Sequence, residues 1–409
     1  MNYKCRHCES NLEDEVIDLG HQPPSNAYLK AEDQDKKEIS YPLKVFLCKK
    51  CWLVQLPAHA SSKELFTEDY AYFSSTSKSW CKHAKDFVQT STRKLKLNEK
   101  KFVVEIASND GYLLQYFKER SIPSIGIEPT MATANASEKK GIKTIKRFFN
   151  SLLADEILKE YSPNKNGADL IIANNVVAHV PEINDFMVGI KKLLHRDGQV
   201  SIEFPHLLNL FQKNQFDTIY HEHFSYFSLF TFKQIVNKAN LKIIDVEKIK
   251  THGGSLRVWL CHLESEMKPK KSVSRIINEE IKAGLFSEKI FKDFQEKASN
   301  VKYSLLKLLI KFKLENKKII GYGAAAKGNT LLNYAGVKKD LLHAVIDNSE
   351  SKQGKFLPGS HIPIIKPDEL SLIKPDYILV LPWNILPEIK KNLKAYKLIT
   401  AIPNIKKHY

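Results

Sequence analysis

Val103-Val104-Glu105-Ile106-Ala107-Ser108-Asn109-Asp110-Gly111-Tyr112-Leu113-Leu114 reads as a strand, a tight turn and the start of a helix. Ser108, Asn109 and Asp110 suit a turn or a helix N-cap, because their short polar side chains bond nearby backbone. Gly111 lets main chain pass close to a ligand. Seventeen residues after Gly111, Glu128 closes a second apolar run, Ile125-Gly126-Ile127. An acid at the end of the second strand of such a unit can take both ribose hydroxyls in its carboxylate.

Working outward, further short apolar runs follow at Leu170-Ile171-Ile172-Ala173 and Gln199-Val200-Ser201-Ile202, with helical segments between them. Lys82 to Leu97 reads as a helix whose stripe is Ala84, Phe87, Val88, Leu95 and Leu97. Buried runs separated by helices indicate a doubly wound parallel sheet. The pattern restarts after a charged helical stretch, Arg275 to Lys313, with strands expected at Lys318-Ile319-Ile320, His343 to Ile346 and Tyr377 to Leu381. The first 79 residues differ, with paired cysteines, a turn-rich His21-Gln22-Pro23-Pro24-Ser25-Asn26 and short β-like runs. An α/β chain of three units is expected, over 1–79, 80–270 and 271–409.

Hydrophobic residues make up 43% of the 409, enough for globular cores and too many for wholesale disorder or a collagen-like fibre. No apolar run nears the ~20 residues that cross a bilayer, and Met1 to Ser10 holds no apolar core of a leader. The expectation is a cytoplasmic protein without a membrane partner, its cysteines reduced. The net charge of +17 favours anionic partners: nucleic acid, anionic lipid or phosphorylated small molecules. Its lysines are scattered, however, as at Lys94, Lys96, Lys100 and Lys101, or Lys191 and Lys192. No RRM or zinc-finger helix pattern accompanies them, so nucleic acid is not expected.

Cys5-x2-Cys8 and Cys48-x2-Cys51 stand 39 residues apart. Two such knuckles can offer four thiolates to one tetrahedral Zn²⁺; disulfides and redox motifs are the alternatives. Four thiolates leave no open position, so this zinc would hold a fold and not catalyse. Cys81 and Cys261 are singletons that read as core filler.

Glu105-x-x-Ser108-Asn109-Asp110-Gly111 departs from the G-x-G-x-x-G of dinucleotide enzymes and resembles motif I of S-adenosylmethionine (SAM) methyltransferases. Gly126-Ile127-Glu128-Pro129 resembles their motif II, and Asp169 to Asn175, leading to His179, fits their fourth-strand motif. Taken singly, each is also met in ordinary α/β packing. Together they imply SAM as cofactor, with Glu105, Ser108, Asn109, Asp110, Gly111, Glu128 and Asn175 around it.

Asp217-Thr218-Ile219-Tyr220-His221-Glu222-His223-Phe224-Ser225-Tyr226 is the densest cluster of titratable side chains. A second metal, a surface loop and proton transfer all remain readings of it. The H-E-x-x-H spacing of zincins is absent, and a His of ordinary pKa is suited to act as a base near neutrality. In a regular strand Tyr220 and Glu222 would face away from His223, so a shared site requires a loop or a distorted turn.

The two cysteine pairs, Tyr70-Ala71-Tyr72-Phe73-Ser74-Ser75, the Glu105–Gly111 motif and Tyr220-His221-Glu222-His223, in this order, resemble the zinc-containing nucleotide-sugar C-methyltransferases. An example is the enzymes that methylate C-3 of dTDP-4-keto-6-deoxy sugars. The resemblance spans essentially the whole chain, including His252-Gly253-Gly254-Ser255-Leu256-Arg257. It implies an N-terminal zinc-binding domain, a central SAM-methyltransferase domain and a C-terminal Rossmann-like domain that binds the nucleotide sugar. His223 would be the base, Tyr220, Glu222, His179 and Tyr72 its catalytic neighbours, and His221 and Arg257 contacts to substrate.

Ile319-Ile320-Gly321-Tyr322-Gly323-Ala324-Ala325-Ala326-Lys327-Gly328-Asn329-Thr330 is again strand, glycine turn and helix, and Asp347 follows 24 residues after Gly323, where an NAD-binding acid would sit. It lacks the G-K-[ST] of a P-loop. Under the resemblance, Gly323, Lys327 and Asn329 bind the nucleotide sugar. Two other readings stay open here: an NAD-dependent nucleotide-sugar oxidoreductase and a zinc-anchored RNA-binding protein. The expected partner is a dTDP- or GDP-linked 4-keto sugar, and the expected state is a monomer or weak homo-oligomer.

Overall fold

The computed structural model describes residues 3–66 and 73–408. Its centre is a seven-stranded sheet in the order Leu241–Ile249, Ser255–His262, Leu194–Pro205, Ala168–Asn174, Val103–Ile106, Ser124–Ile127, Thr144–Ile145. Val103–Ile106 pairs in parallel with Ser124–Ile127 on one side and Ala168–Asn174 on the other. The chain therefore winds outward one way, then returns to build the other half. The crevice this leaves at the strands' C-terminal ends is where ligands bind in such sheets. Ser255–His262 runs antiparallel to both of its neighbours, so the last two strands join as a hairpin. Val103–Ile106 is buried along its whole length, its apolar run interrupted only by Glu105.

The helix Lys78–Leu95 starts earlier than the apolar stripe suggested, because the Ser77 side chain accepts from the Trp80 N–H and caps it. Ala84, Phe87 and Val88 face the core, as expected. The charged stretch is two helices, Lys271–Lys282 and Glu288–Leu314, separated at Gly284, whose φ is +75°.

A four-stranded N-terminal sheet has the order Ser225–Tyr226, Val54–Gln55, Tyr41–Leu47, Asp14–Gln22. Its edge strand comes from the Asp217–Tyr226 segment, with Ser225 opposite Gln55 and Tyr226 opposite Val54. The C-terminal sheet has six strands in the order Ile364–Ile365, Val345–Ile346, Ile319–Tyr322, Tyr377–Val380, Leu398–Thr400, Lys406–His408, all parallel except the last. One apolar cluster runs from Leu43 and Val45 through Phe216 and Ile219 to Phe294, Leu331 and Leu379. It joins the N-terminal sheet, the loop after Leu207–Gln212 and the C-terminal sheet. No helix among the described residues is long and apolar enough to cross a membrane. Cys261 is buried and Cys81 is half-buried.

Candidate active site

The glycine turn after Val103–Ile106 is built on left-handed residues: Ala107 at φ 58°, Asn109 at 49° and Gly111 at +74°. A Cβ on Gly111 would meet Ile142 Cδ1 at 2.4 Å, so no other residue fits without displacing that side chain. Asn109 N–H donates to Glu128 Oε2 at 2.9 Å, and Thr130 N–H to Oε1 at 2.9 Å, which lock the carboxylate beside the turn. Burial pushes the Glu128 pKa up. Asn109 Oδ1 accepts from Ser74 N–H at 2.8 Å, and Asp110 accepts from Ser75, tying the residues after the first unit onto the turn. Ser108 Oγ lies 2.3 Å from where a Gly126 Cβ would be. Glu105 is buried mid-strand, its pKa held well up by burial with Asp110 and Glu128 nearby.

A cavity of about 610 Å³ opens over this turn. Asn109, Glu128 and Asn175 line it, whereas Glu105, Ser108, Asp110 and Gly111 shape the turn behind it. Asn175 stands at φ 52°, and among the described residues neither its side-chain oxygen nor its nitrogen has a hydrogen-bond partner, although both are buried. A buried amide in that state calls for a ligand. Asn109, Glu128 and Asn175 thus fit an adenosine-bearing cofactor.

Opposite, the Asp217–Tyr226 segment is a turn: His223 N–H donates to Tyr220 O at 2.9 Å. That turn brings Tyr220 and His223 to the same side, their ring centroids 4.0 Å apart, and both line the cavity. His223 Nδ1 lies 2.8 Å from Thr218 O and His179 Nδ1 2.7 Å from Glu222 O. A carbonyl only accepts, so each Nδ1 carries the hydrogen and each neutral ring keeps its lone pair on Nε2. Burial lowers the His179 pKa to about 4, and burial together with His179 pushes His223 well below the ordinary value. Both are neutral imidazoles near pH 7.

The other expected residues divide. The Glu222 side chain turns from the cavity lining to Asn26, whose Nδ2 donates to Oε1 at 3.1 Å, and burial pushes its pKa up to about 7. His221 turns outward: Nε2 is 3.3 Å from Tyr41 O and its ring packs edge-on against Tyr41, apart from the cavity. Arg257 is also apart, paired to buried Glu203 through Nε at 2.7 Å. Gly323 at φ +87° presses on Pro382, and Asn329 Nδ2 donates to Ser25 O at 3.2 Å, so both are scaffold. Lys327 lines the cavity, where burial lowers its pKa. Asp347 accepts from Ala324 N–H at 2.7 Å and Ser349 N–H at 2.8 Å, much as Glu128 does at its own glycine turn, but it is not among the residues lining the cavity. Tyr70 and Tyr72 lie outside the described residues. Asn26, Trp80, Thr218, His252 and Lys352 also line the cavity and were given no role from sequence. Asn26, Thr218 and His252 fall in stretches read above, and Lys352-Gln353-Gly354 shares the family resemblance.

Away from the cavity, Cys5 Sγ lies 3.5 Å from Cys51 Sγ and Cys8 Sγ 3.4 Å from Cys48 Sγ, and all four lie within 4.8 Å of one another. A tetrahedron with Zn–S bonds of ~2.3 Å has sulfur–sulfur edges of roughly 3.8 Å, so the four thiolates fit one structural zinc.

Residues 5–66 match the family described as "Putative zinc binding domain", 80–246 "Methyltransferase domain" and 250–403 "C-methyltransferase C-terminal domain". C-methyltransferase NovU of Streptomyces niveus is 32% identical over 393 residues, covering 96% of this chain and 92% of that protein. The PH0226 protein of Pyrococcus horikoshii OT3 is 11% identical over 47% of this chain and 95% of that chain, at TM-score 0.38. Magnesium protoporphyrin IX methyltransferase of Synechocystis PCC 6803, solved with bound SAH, is 12% identical over 44% and 82%, at TM-score 0.35.

Proposed function

This chain belongs to the SAM-dependent C-methyltransferases, and from that premise we propose that it methylates C-3 of a nucleotide-linked 4-keto-6-deoxy sugar, with His223 as the base. One observation carries this reading. The lone pair on His223 Nε2 belongs to a ring lining the same chamber as Asn109, Glu128, Asn175 and Lys327.

When bound, SAM supplies a methyl group made electrophilic by its sulfonium. His223 Nε2 takes the C-3 proton, acidified by the C-4 ketone, and the C–H electrons pass into the enolate. With SAM bound, C-3 of the enolate would take the methyl group as the methyl–sulfur bond breaks, its electron pair staying on sulfur. His179 Nε2 is an acceptor and cannot donate to the developing O-4 anion, so that task falls to the Tyr220 hydroxyl, a donor of the kind worth roughly 3–4 kcal/mol in oxyanion sites. The Glu222 main chain fixes the His179 tautomer, and its side chain secures Asn26. Tyr72 keeps the catalytic role that the sequence resemblance implies.

Lys327 and Lys352, which also line the cavity, suit a diphosphate, which would restore full charge to a Lys327 that burial has weakened. The units we assign are 1–79 for zinc, 80–270 for SAM and 271–409 for the dTDP- or GDP-sugar. Four zinc thiolates suit a reducing compartment, and the cytoplasm is the setting we assign.

Glu128→Ala is expected to raise the SAM dissociation constant about tenfold, the loss of a hydrogen-bonded ribose contact to a charged group. An unchanged constant by calorimetry would remove that contact. The reaction itself is tested by mass spectrometry of dTDP- and GDP-linked 4-keto-6-deoxy sugars incubated with SAM in deuterated buffer. A product carrying methyl in place of hydrogen is expected. Deuterium uptake alone would retain the base and point to another acceptor. Neither signal on any sugar would overturn the reading.

A further inference from the structure

We infer that His252 is an acceptor-binding residue whose imidazole hydrogen-bonds a ring hydroxyl of the sugar through one of its nitrogens. This rests on the sugar acceptor proposed above and adds the group that selects it.

The ring lines the cavity together with Tyr220, His223 and Lys327. His179 and His223 each commit one nitrogen to a carbonyl. His252 is held differently: among the described residues neither of its ring nitrogens has a hydrogen-bond partner, and the ring is oriented by Trp80, edge-on at 5.1 Å. Burial and nearby Lys327 keep it neutral, with a pKa of about 3. A neutral imidazole offers a donor on one side and an acceptor on the other, and a hydroxyl, which can take either role, can meet one of them.

The backbone beneath it is strained and over-determined. His252 sits at φ 51°, followed by Gly253 at +87° and Gly254 at +118°. A Cβ on Gly253 would lie 2.6 Å from Trp383 Cη2, and one on Gly254 2.6 Å from Asn209 Nδ2. Gln215 Nε2 and Lys213 Nζ each donate to Gly253 O at 3.1 Å, and Asn209 Nδ2 to Gly254 O at 3.2 Å. Left-handed non-glycine residues persist only where surroundings hold them, and they cluster at ligand sites. Here Trp383 from the C-terminal unit and Asn209 and Gln215 from the central one clamp the turn that presents the ring.

The test uses His252→Ala and His252→Asn on the full-length enzyme, with dTDP-4-keto-6-deoxyglucose and its 2-deoxy and 3-deoxy counterparts as probes. For each sugar the wild type methylates with a hydroxyl in place, the Ala variant should raise KM about tenfold, and Asn, which keeps a donor and an acceptor, should recover part of it. The Ala variant should also lose the wild-type preference for one hydroxylated sugar over its deoxy counterpart. The SAM dissociation constant and deuterium exchange at saturating acceptor should stay within about twofold, because His223 is untouched. An unchanged KM, a loss of exchange, or an equal loss of SAM affinity would overturn the assignment. If the wild type neither exchanges nor methylates any of the probes, the sugar reading falls, and the hydroxyl contact falls with it.

Discussion

Asn in place of His223 is expected to cut methyl transfer by about 10²–10⁴-fold, the usual worth of a positioned general base, while SAM binds as before. The substitution is chosen for its geometry. An Asn amide can still donate to Thr218 O, which now accepts from His223 Nδ1 at 2.8 Å, so the turn survives. What disappears is the basic lone pair on Nε2. Deuterium exchange into the 4-keto sugar without SAM should vanish along with turnover, because both need the same proton removed. The pH dependence has a definite sign. A base must be unprotonated, and burial beside His179 pushes the His223 pKa well below 6.5. The acid limb of kcat/KM due to His223 should therefore lie well below the free-imidazole value and not at it. Retained exchange in the Asn variant would remove His223 as the base, and a matching loss of SAM affinity would make its role structural.

Cys48→Ser is expected to yield protein with little zinc and a melting temperature lower by about 10 °C or more. Structural zinc contributes many kcal/mol to small domains, and a chain of this size loses about 2–4 °C per kcal/mol. Cys48 is fully buried and opens a tight knuckle, with Cys48 N–H bonded to Leu53 O at 2.9 Å and Trp52 N–H to Cys48 O at 2.7 Å. The knuckle is docked on the central unit, where Thr231 Oγ1 and Gln234 Nε2 each donate to Cys51 O at 3.1 Å. Just beyond it, Val54–Gln55 pairs with Ser225–Tyr226, the strand that ends the Tyr220–His223 turn. Loss of the metal should therefore depress activity as well as stability, though no zinc ligand lines the cavity. Metal analysis alongside thermal melts decides it; a zinc-free variant with the wild-type melting temperature would refute a structural site.

How much was legible in advance follows from the range of the interactions. Strands buried on both faces are mostly apolar, so Val103–Ile106 and Ala168–Asn174, each a short apolar run with few polar residues, announced a covered parallel sheet. The glycine turn, Glu128 and the cysteine spacing were equally local, because turn chemistry and metal geometry act over a few residues. The need for a turn at Tyr220–His223 followed from side-chain alternation once Tyr220 and His223 were taken to share a site.

Other choices were made only in three dimensions. Arg257 looked like a substrate ligand, but on Ser255–His262 it sits directly opposite Glu203, and a buried carboxylate takes the nearest guanidinium. His221 and His223 stand two residues apart, yet the turn sends one to Tyr41 and the other into the cavity. Asp347 occupies the place of a ribose-binding acid, but the fold leaves it off the lining of the cavity that Glu128 faces. Neighbouring pairs and periodicities are written in the chain; which partner a charged or polar side chain meets depends on strands and loops far apart in sequence, and only the folded sheet register settles that competition.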